Sequence, residues 1–171
     1  MKRVWNPDEL ADQWTLTPRE RVLVGWQKGD HTALGFAVLL KYVQIDGRFP
    51  RTRHEVPPAA IAHLAHQLNL PATAFIAYDW ENRTIKHHRT AIREFLNLRE
   101  PTVADQEALT AWLVDTHVPE TRQIPALIEH VKTRCRELHL ELPTPDRVER
   151  LVRTAIARSE EHTSELQSRF D

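Results

Sequence analysis

Residues 83 to 98 read Arg83-Thr84-Ile85-Lys86-His87-His88-Arg89-Thr90-Ala91-Ile92-Arg93-Glu94-Phe95-Leu96-Asn97-Leu98. At about 100° per residue, Ile85, Ile92, Phe95 and Leu96 centre on one side. Arg83, Lys86, His87, Thr90 and Arg93 share an arc of about 120° on the other. A strand would mix the two sets on both faces. The spacing predicts an amphipathic helix with one wall to pack and one face of cations and hydrogen-bond donors, capped by Asn82 or a neighbour.

The same grammar extends in both directions. Upstream, Ile61, Leu64, Ala65 and Leu68 recur at i, i+3, i+4 and i+7 in a helix from Pro58 to Leu68. Pro71 to Trp80 reads as a short helix. Asn6-Pro7 and Thr17-Pro18 each pair a capping side chain with proline at the first helical position, opening helices to Gln13 and about Gln27. After Lys28-Gly29-Asp30, a third helix carries Leu34, Ala37, Val38, Lys41 and Tyr42 and ends near Asp46-Gly47. Arg48 to Pro57 is a basic loop. Downstream, helices are expected over about 102–116, 122–139 and 145–157, separated by Pro119 and Pro143-Thr144-Pro145. Four glycines are too few for a turn-rich β fold. The fold class is all-α: two small helical lobes, 1–100 and 101–157, joined near Glu100-Pro101, in a helix-turn-helix-like arrangement.

Composition narrows the function. The 171 residues are 41% hydrophobic and 27% charged, in the globular range. A lone cysteine, Cys135, excludes an internal disulfide and fits a reducing compartment. No apolar run approaches the roughly 20 residues of a membrane span, and the N-terminus lacks a signal-peptide core. A soluble, cytoplasmic protein without membrane partners is expected. There is no nucleophile elbow, P-loop or Rossmann glycine pattern, so no catalytic residue is assigned. His63, His66 and the His87-His88 pair lack the further ligands a zinc site needs, so neither metal nor cofactor is expected. Trp5, Trp14, Trp26, Trp80 and Trp112 read as core residues.

The last fourteen residues differ in kind. Arg158 to Ser168 resembles the one-frame translation of a widely used short-read sequencing adapter over eleven consecutive residues. Residues 158–171 are therefore expected to be a non-native, disordered tail and are set aside from functional reasoning. Without them the net charge changes from −1 to +1.

Gly29-Asp30-His31-Thr32-Ala33-Leu34-Gly35-Phe36-Ala37-Val38-Leu39-Leu40 is followed by Gly47-Arg48-Phe49-Pro50 and Val56-Pro57. Ile61-Ala62-His63-Leu64-Ala65 and Arg89-Thr90-Ala91-Ile92-Arg93-Glu94-Phe95-Leu96 come next. In that order and spacing, with Glu149 to Arg153 later, the chain resembles the N-terminal region of bacterial replicative transposases of the Tn-three type, over roughly residues 5 to 157. The resemblance implies recognition of transposon terminal inverted repeats by a piece of a longer protein. It also implies that strand cleavage and transfer belong to a distant magnesium-binding carboxylate triad, so this piece is expected to be no enzyme by itself. Double-stranded DNA at transposon ends is the implied partner, with another transposase copy as a second. The competing reading is a helical interaction module for transposase assembly, touching DNA only nonspecifically.

Net charge hides local polarity. Residues 83 to 99 hold five basic side chains against one acid, and Arg48, Arg51 and Arg53 stand without an acid between them. A helix fits the major groove, where Arg can read guanine and Lys or Arg can neutralise phosphate. The candidate DNA-binding residues are Arg83, Lys86, His87, Arg89, Thr90 and Arg93, with Arg48, Arg51 and Arg53 as a loop arm. Arg147, Arg150 and Arg153 form a stripe diluted by Asp146 and Glu149, read as surface.

Overall fold

A computed structural model describes the chain from Met1 to Asp171. Helices α1 (Pro7–Gln13), α2 (Pro18–Gly25), α3 (Asp30–Asp46), α4 (Pro58–Gln67) and α5 (Arg83–Leu96) build a first unit, Met1–Leu96. Two 3₁₀ turns, Arg53–Glu55 and Ala72–Ala77, interrupt its loops. Helices α6 (Val103–Thr116), α7 (Ile124–Glu137) and α8 (Pro145–Phe170) build a second, Asn97–Asp171. The chain is all-α, and no helix is long and apolar enough to cross a membrane.

The first unit is organised around α3. Every residue from Leu34 to Val43 is buried, and α2, α4, α5 and the second 3₁₀ turn pack on this helix. A helix enclosed on all sides must be apolar nearly all round, as this segment is. Its one buried charge, Lys41, is met by Glu20 at 2.6 Å, and Gln44 donates to the other Glu20 oxygen at 2.8 Å. Burial pushes the Glu20 carboxyl up, but Gln44, Lys41 and the Thr17 amide outweigh it and hold it below its ordinary range. Leaving either charge alone in this interior would cost several kcal/mol.

Gly35 explains how the second 3₁₀ turn reaches α3. A Cβ at Gly35 would lie 2.2 Å from Tyr78 Cδ2, so only glycine lets the ring lie on the helix backbone.

Helix ends follow local chemistry. Asn6 with Glu9, Thr17 with Glu20, and Thr102 with Asp105 form capping boxes. Gly47, Asn69, Asn97 and His139 adopt left-handed backbone just after α3, α4, α5 and α7. Asparagine and histidine thus take stop positions usually given to glycine, which is how four glycines suffice.

In the second unit, α6, α7 and α8 pack pairwise around Leu113, Leu127, Val131, Cys135, Val152 and Ala155, all 1% exposed or less. Ahead of α6, Arg99 bridges to Leu140: its amide donates to His139 and its carbonyl accepts from Glu141. The Arg99 guanidinium grips Asp105 with bonds of 2.6 and 3.0 Å.

Several features differ from the sequence reading. The first unit closes at Leu96 rather than near residue 100. Pro71 to Trp80 holds a 3₁₀ turn, not an α-helix. Trp26, expected in the core, is 71% exposed, because α2 ends at Gly25 and carries it outward as the C-cap. Residues 158 to 170, expected to lack order, continue α8 with none of their side chains buried.

Candidate nucleic-acid interface

The Asn82 side chain accepts from the amides of Thr84, at 2.9 Å, and Ile85, at 3.4 Å, and starts α5 at Arg83. Ile85, His88 and Ile92 are buried, while Arg83, Lys86, His87 and Thr90 are exposed one turn apart. The Thr90 hydroxyl gives its proton to the Lys86 carbonyl, 3.1 Å away, which leaves its oxygen free to accept.

The two adjacent histidines have separate fates. His87 faces outward, whereas His88 is 5% exposed, with Nδ1 2.8 Å from the Tyr78 hydroxyl and its ring stacked on Tyr78. Phe36 meets the ring edge-on at 5.0 Å. Burial, helped by His87, pushes the His88 pKa down to about 4, and burial holds the Tyr78 hydroxyl well above its ordinary range. His88 is therefore a neutral core residue at physiological pH.

Arg89 and Arg93 are half-buried. Their guanidinium carbons stand 5.8 and 5.2 Å from the centre of the Phe49 ring, and Arg89 donates to the Pro50 carbonyl at 3.3 Å. Cation–π and hydrogen bonding here tie the basic loop to α5. The two candidate patches, separate in sequence, thus meet at Phe49-Pro50.

Within the loop, Arg48 is an anchor. Its side chain, 11% exposed, pairs with Glu55 at 2.8 Å and Asp46 at 3.3 Å. Burial would lower its pKa, but the bond to Glu55 and nearby charges raise it on balance. Glu55 also accepts from the Arg51 and Thr52 amides. Arg51 and Arg53 are left exposed.

Of the nine candidates, Arg83, Lys86, His87, Thr90, Arg51 and Arg53 face solvent, and Arg48, Arg89 and Arg93 hold the scaffold that presents them. None of the four exposed cations Arg83, Lys86, Arg51 and Arg53 forms an ion pair, so their charge stays available to an outside anion. Phe49 and Pro50 stand between the loop arginines in sequence, but the contact of the Phe49 ring with Arg89 and Arg93 of α5 was not legible there. No group of three metal-ligating side chains converges anywhere.

A family model described as a domain of unknown function, DUF4158, matches residues 1–155. The chain belongs to the DUF4158 family. DUF4158 domains are found in Tn-three-type transposases, in line with the resemblance carried by Gly29 to Leu40 and the motifs after it. This DUF4158 chain is 26% identical over 154 residues to the transposase for transposon Tn501 of Pseudomonas aeruginosa, covering 90% of the chain and 16% of that protein. It is 23% identical over 155 residues to the transposase for transposon Tn3926 of Escherichia coli, covering 89% and 15%. The DUF4158 chain thus spans about one-sixth of the length of these relatives. The stretch 158–171 lies beyond the family match.

Proposed function

We propose that this DUF4158 domain binds double-stranded DNA at the terminal inverted repeats of a transposon, as the end-recognition part of a Tn-three-type transposase, and performs no strand chemistry itself. The exposed face of α5 carries the reading: Arg83, Lys86, His87 and Thr90 lie within about two turns, and neither Arg83 nor Lys86 is neutralised by a carboxylate. A helix of this kind fits the major groove, its cations replacing counterions at phosphates and a guanidinium reading base edges. Arg51 and Arg53 would extend the contact along the backbone. Relatives that are transposases support DNA as the ligand class.

The test is fluorescence anisotropy on cognate-repeat and scrambled duplexes, with the parent chain and an Arg83→Ala, Lys86→Ala double variant. Selective weakening on the cognate duplex supports the reading. Equal affinity of parent and variant for both duplexes removes α5 as the DNA-contacting face. The assembly reading would then gain, with Val22 and Trp26, exposed on successive turns at 56% and 71%, as its apolar contacts.

A further inference from the structure

In the first unit, the loop after Thr52, the start of α4 and the 3₁₀ turn Ala72–Ala77 enclose a cleft of about 240 Å³. Val56 and Phe75, 2% and 4% exposed, are its innermost apolar walls, and Ile61 is half-buried beside them. Ile76, a large aliphatic side chain, is left 65% exposed at the mouth. Arg3 and Arg53 supply two guanidiniums to the lining, and no carboxylate lines it. Arg3 donates to the His54 carbonyl at 2.5 Å, while Arg53 has no partner of its own.

The volume falls below the roughly 300–1,000 Å³ usual for small-molecule sites and suits one large side chain. An apolar recess beside two cations asks for a ligand that is apolar at one point and anionic next to it. A nucleotide base fits poorly: its ring nitrogens and carbonyls would meet Val, Ile and Phe, and unpaired polar edges are costly to bury. A phosphate held by the arginines alone would leave Ile76 in water. We propose that this cleft docks a short acidic peptide segment of a partner protein. One large aliphatic or aromatic side chain rests on Val56, Phe75 and Ile76, and a flanking Asp or Glu carboxylate pairs with Arg53 and Arg3.

This inference does not depend on DNA recognition by α5; Arg53 is the one residue both readings use, and Ile76 belongs to the cleft alone. The probe is a fluorescein-labelled 12-residue peptide with Leu-Phe between runs of Asp and Glu, titrated into the full chain by anisotropy. Controls replace Leu-Phe by Ser-Ser, or all acids by Lys. The expected result is saturable binding of the first peptide only, weakened about tenfold by Ile76→Ser and by Arg53→Glu. Ile76 is exposed, so its variant keeps the fold, and circular dichroism checks this. Absence of saturable binding, or equal affinity of parent and Ile76→Ser, overturns the proposal. So does displacement of the peptide by a single-stranded 12-nucleotide oligomer, which would make the cleft a nucleic-acid site. Duplex affinity of Ile76→Ser, measured in parallel, stays at the parent value, so loss of one reading leaves the other standing.

Discussion

The Arg93 guanidinium carbon stands 5.2 Å from the centre of the Phe49 ring, joining a helix to a loop more than forty residues earlier in the chain. Arg89 approaches the same ring at 5.8 Å. Phe49 is 6% exposed, so these contacts are largely desolvated, where a cation–π pair is worth about 2 kcal/mol. Arg93→Ala should therefore lower stability by about 1–2 kcal/mol, and Phe49→Ala by about 3 kcal/mol from the lost ring and the cavity left behind. Thermal melts followed by circular dichroism check both. An unchanged midpoint for Phe49→Ala would mean that the loop is not held as described.

Gly35→Ala should destabilise the first unit by more than the 1–3 kcal/mol typical of overpacking. The added methyl would sit 2.2 Å from the Tyr78 ring, which is pinned by stacking on His88 and by the 2.8 Å bond to its Nδ1. Chemical denaturation of the purified variant is the measurement, and wild-type stability is the outcome that contradicts it.

His88 makes stability depend on pH. An unfolded histidine takes up a proton as pH falls below about 6.5, whereas folded His88 stays neutral until about pH 4. The unfolded state binds more protons in that window, so stability is full above 6.5 and falls as pH drops towards 4. At about 1.4 kcal/mol per unit the ceiling is about 3 kcal/mol, and solvent screening makes the realised loss smaller. Burial lowers His63 as well, with the same sign, so a variant must isolate His88. The parent should melt at lower temperature at pH 5 than at pH 7.5, and His88→Gln should shrink that difference. An equal pH dependence in both chains would assign the effect elsewhere.

Elements set by neighbouring residues could be read from the sequence. Asn6-Pro7 and Thr17-Pro18 announced their helices because a cap needs only its own next turn. Asn82 announced α5 in the same way. Residues covered by distant chain could not be read. Arg93 falls inside the cationic arc of α5 by angle alone, and only the return of Phe49 buries half of it. His88 and His87 look alike in sequence, but Tyr78 and Phe36 cover one and not the other. The helical end of α8 was missed for another reason. Glu, Leu, Gln and Arg favour helix intrinsically, and residues 158–170 form one with no apolar stripe and no buried side chain to announce it.

That unpacked end gives a further prediction. Residues 158–171 reach the rest of the second unit through the Arg158–Glu107 and Arg122–Glu160 ion pairs, both exposed. Exposed pairs contribute little, because both charges stay hydrated and salt screens them. Deleting residues 158–171 should reduce helical ellipticity while moving the melting midpoint by less than about 4 °C. A larger drop would show that the tail stabilises the fold.

The exposed cations of α5 yield the decisive measurement, because substitution there separates binding from folding. Arg83 and Lys86 are exposed and carry no ion pair, so alanine at either should leave the melting temperature within error. Arg48→Ala, by contrast, removes the guanidinium that Glu55 and Asp46 share and should weaken DNA binding only through loss of the folded loop. If Arg83 and Lys86 each neutralise one phosphate, each removal should make the slope of log affinity against log salt shallower by about 0.9, on cognate and scrambled duplex alike. If Arg83 instead reads a base, its loss should cost about 1–3 kcal/mol on the cognate duplex and much less on the scrambled one. Anisotropy across a salt series distinguishes the two, with circular dichroism on every variant. A folded double variant that keeps the parent's slope and its preference for the cognate duplex would exclude α5 as the DNA-contacting face, and Arg51 and Arg53 would be tested next.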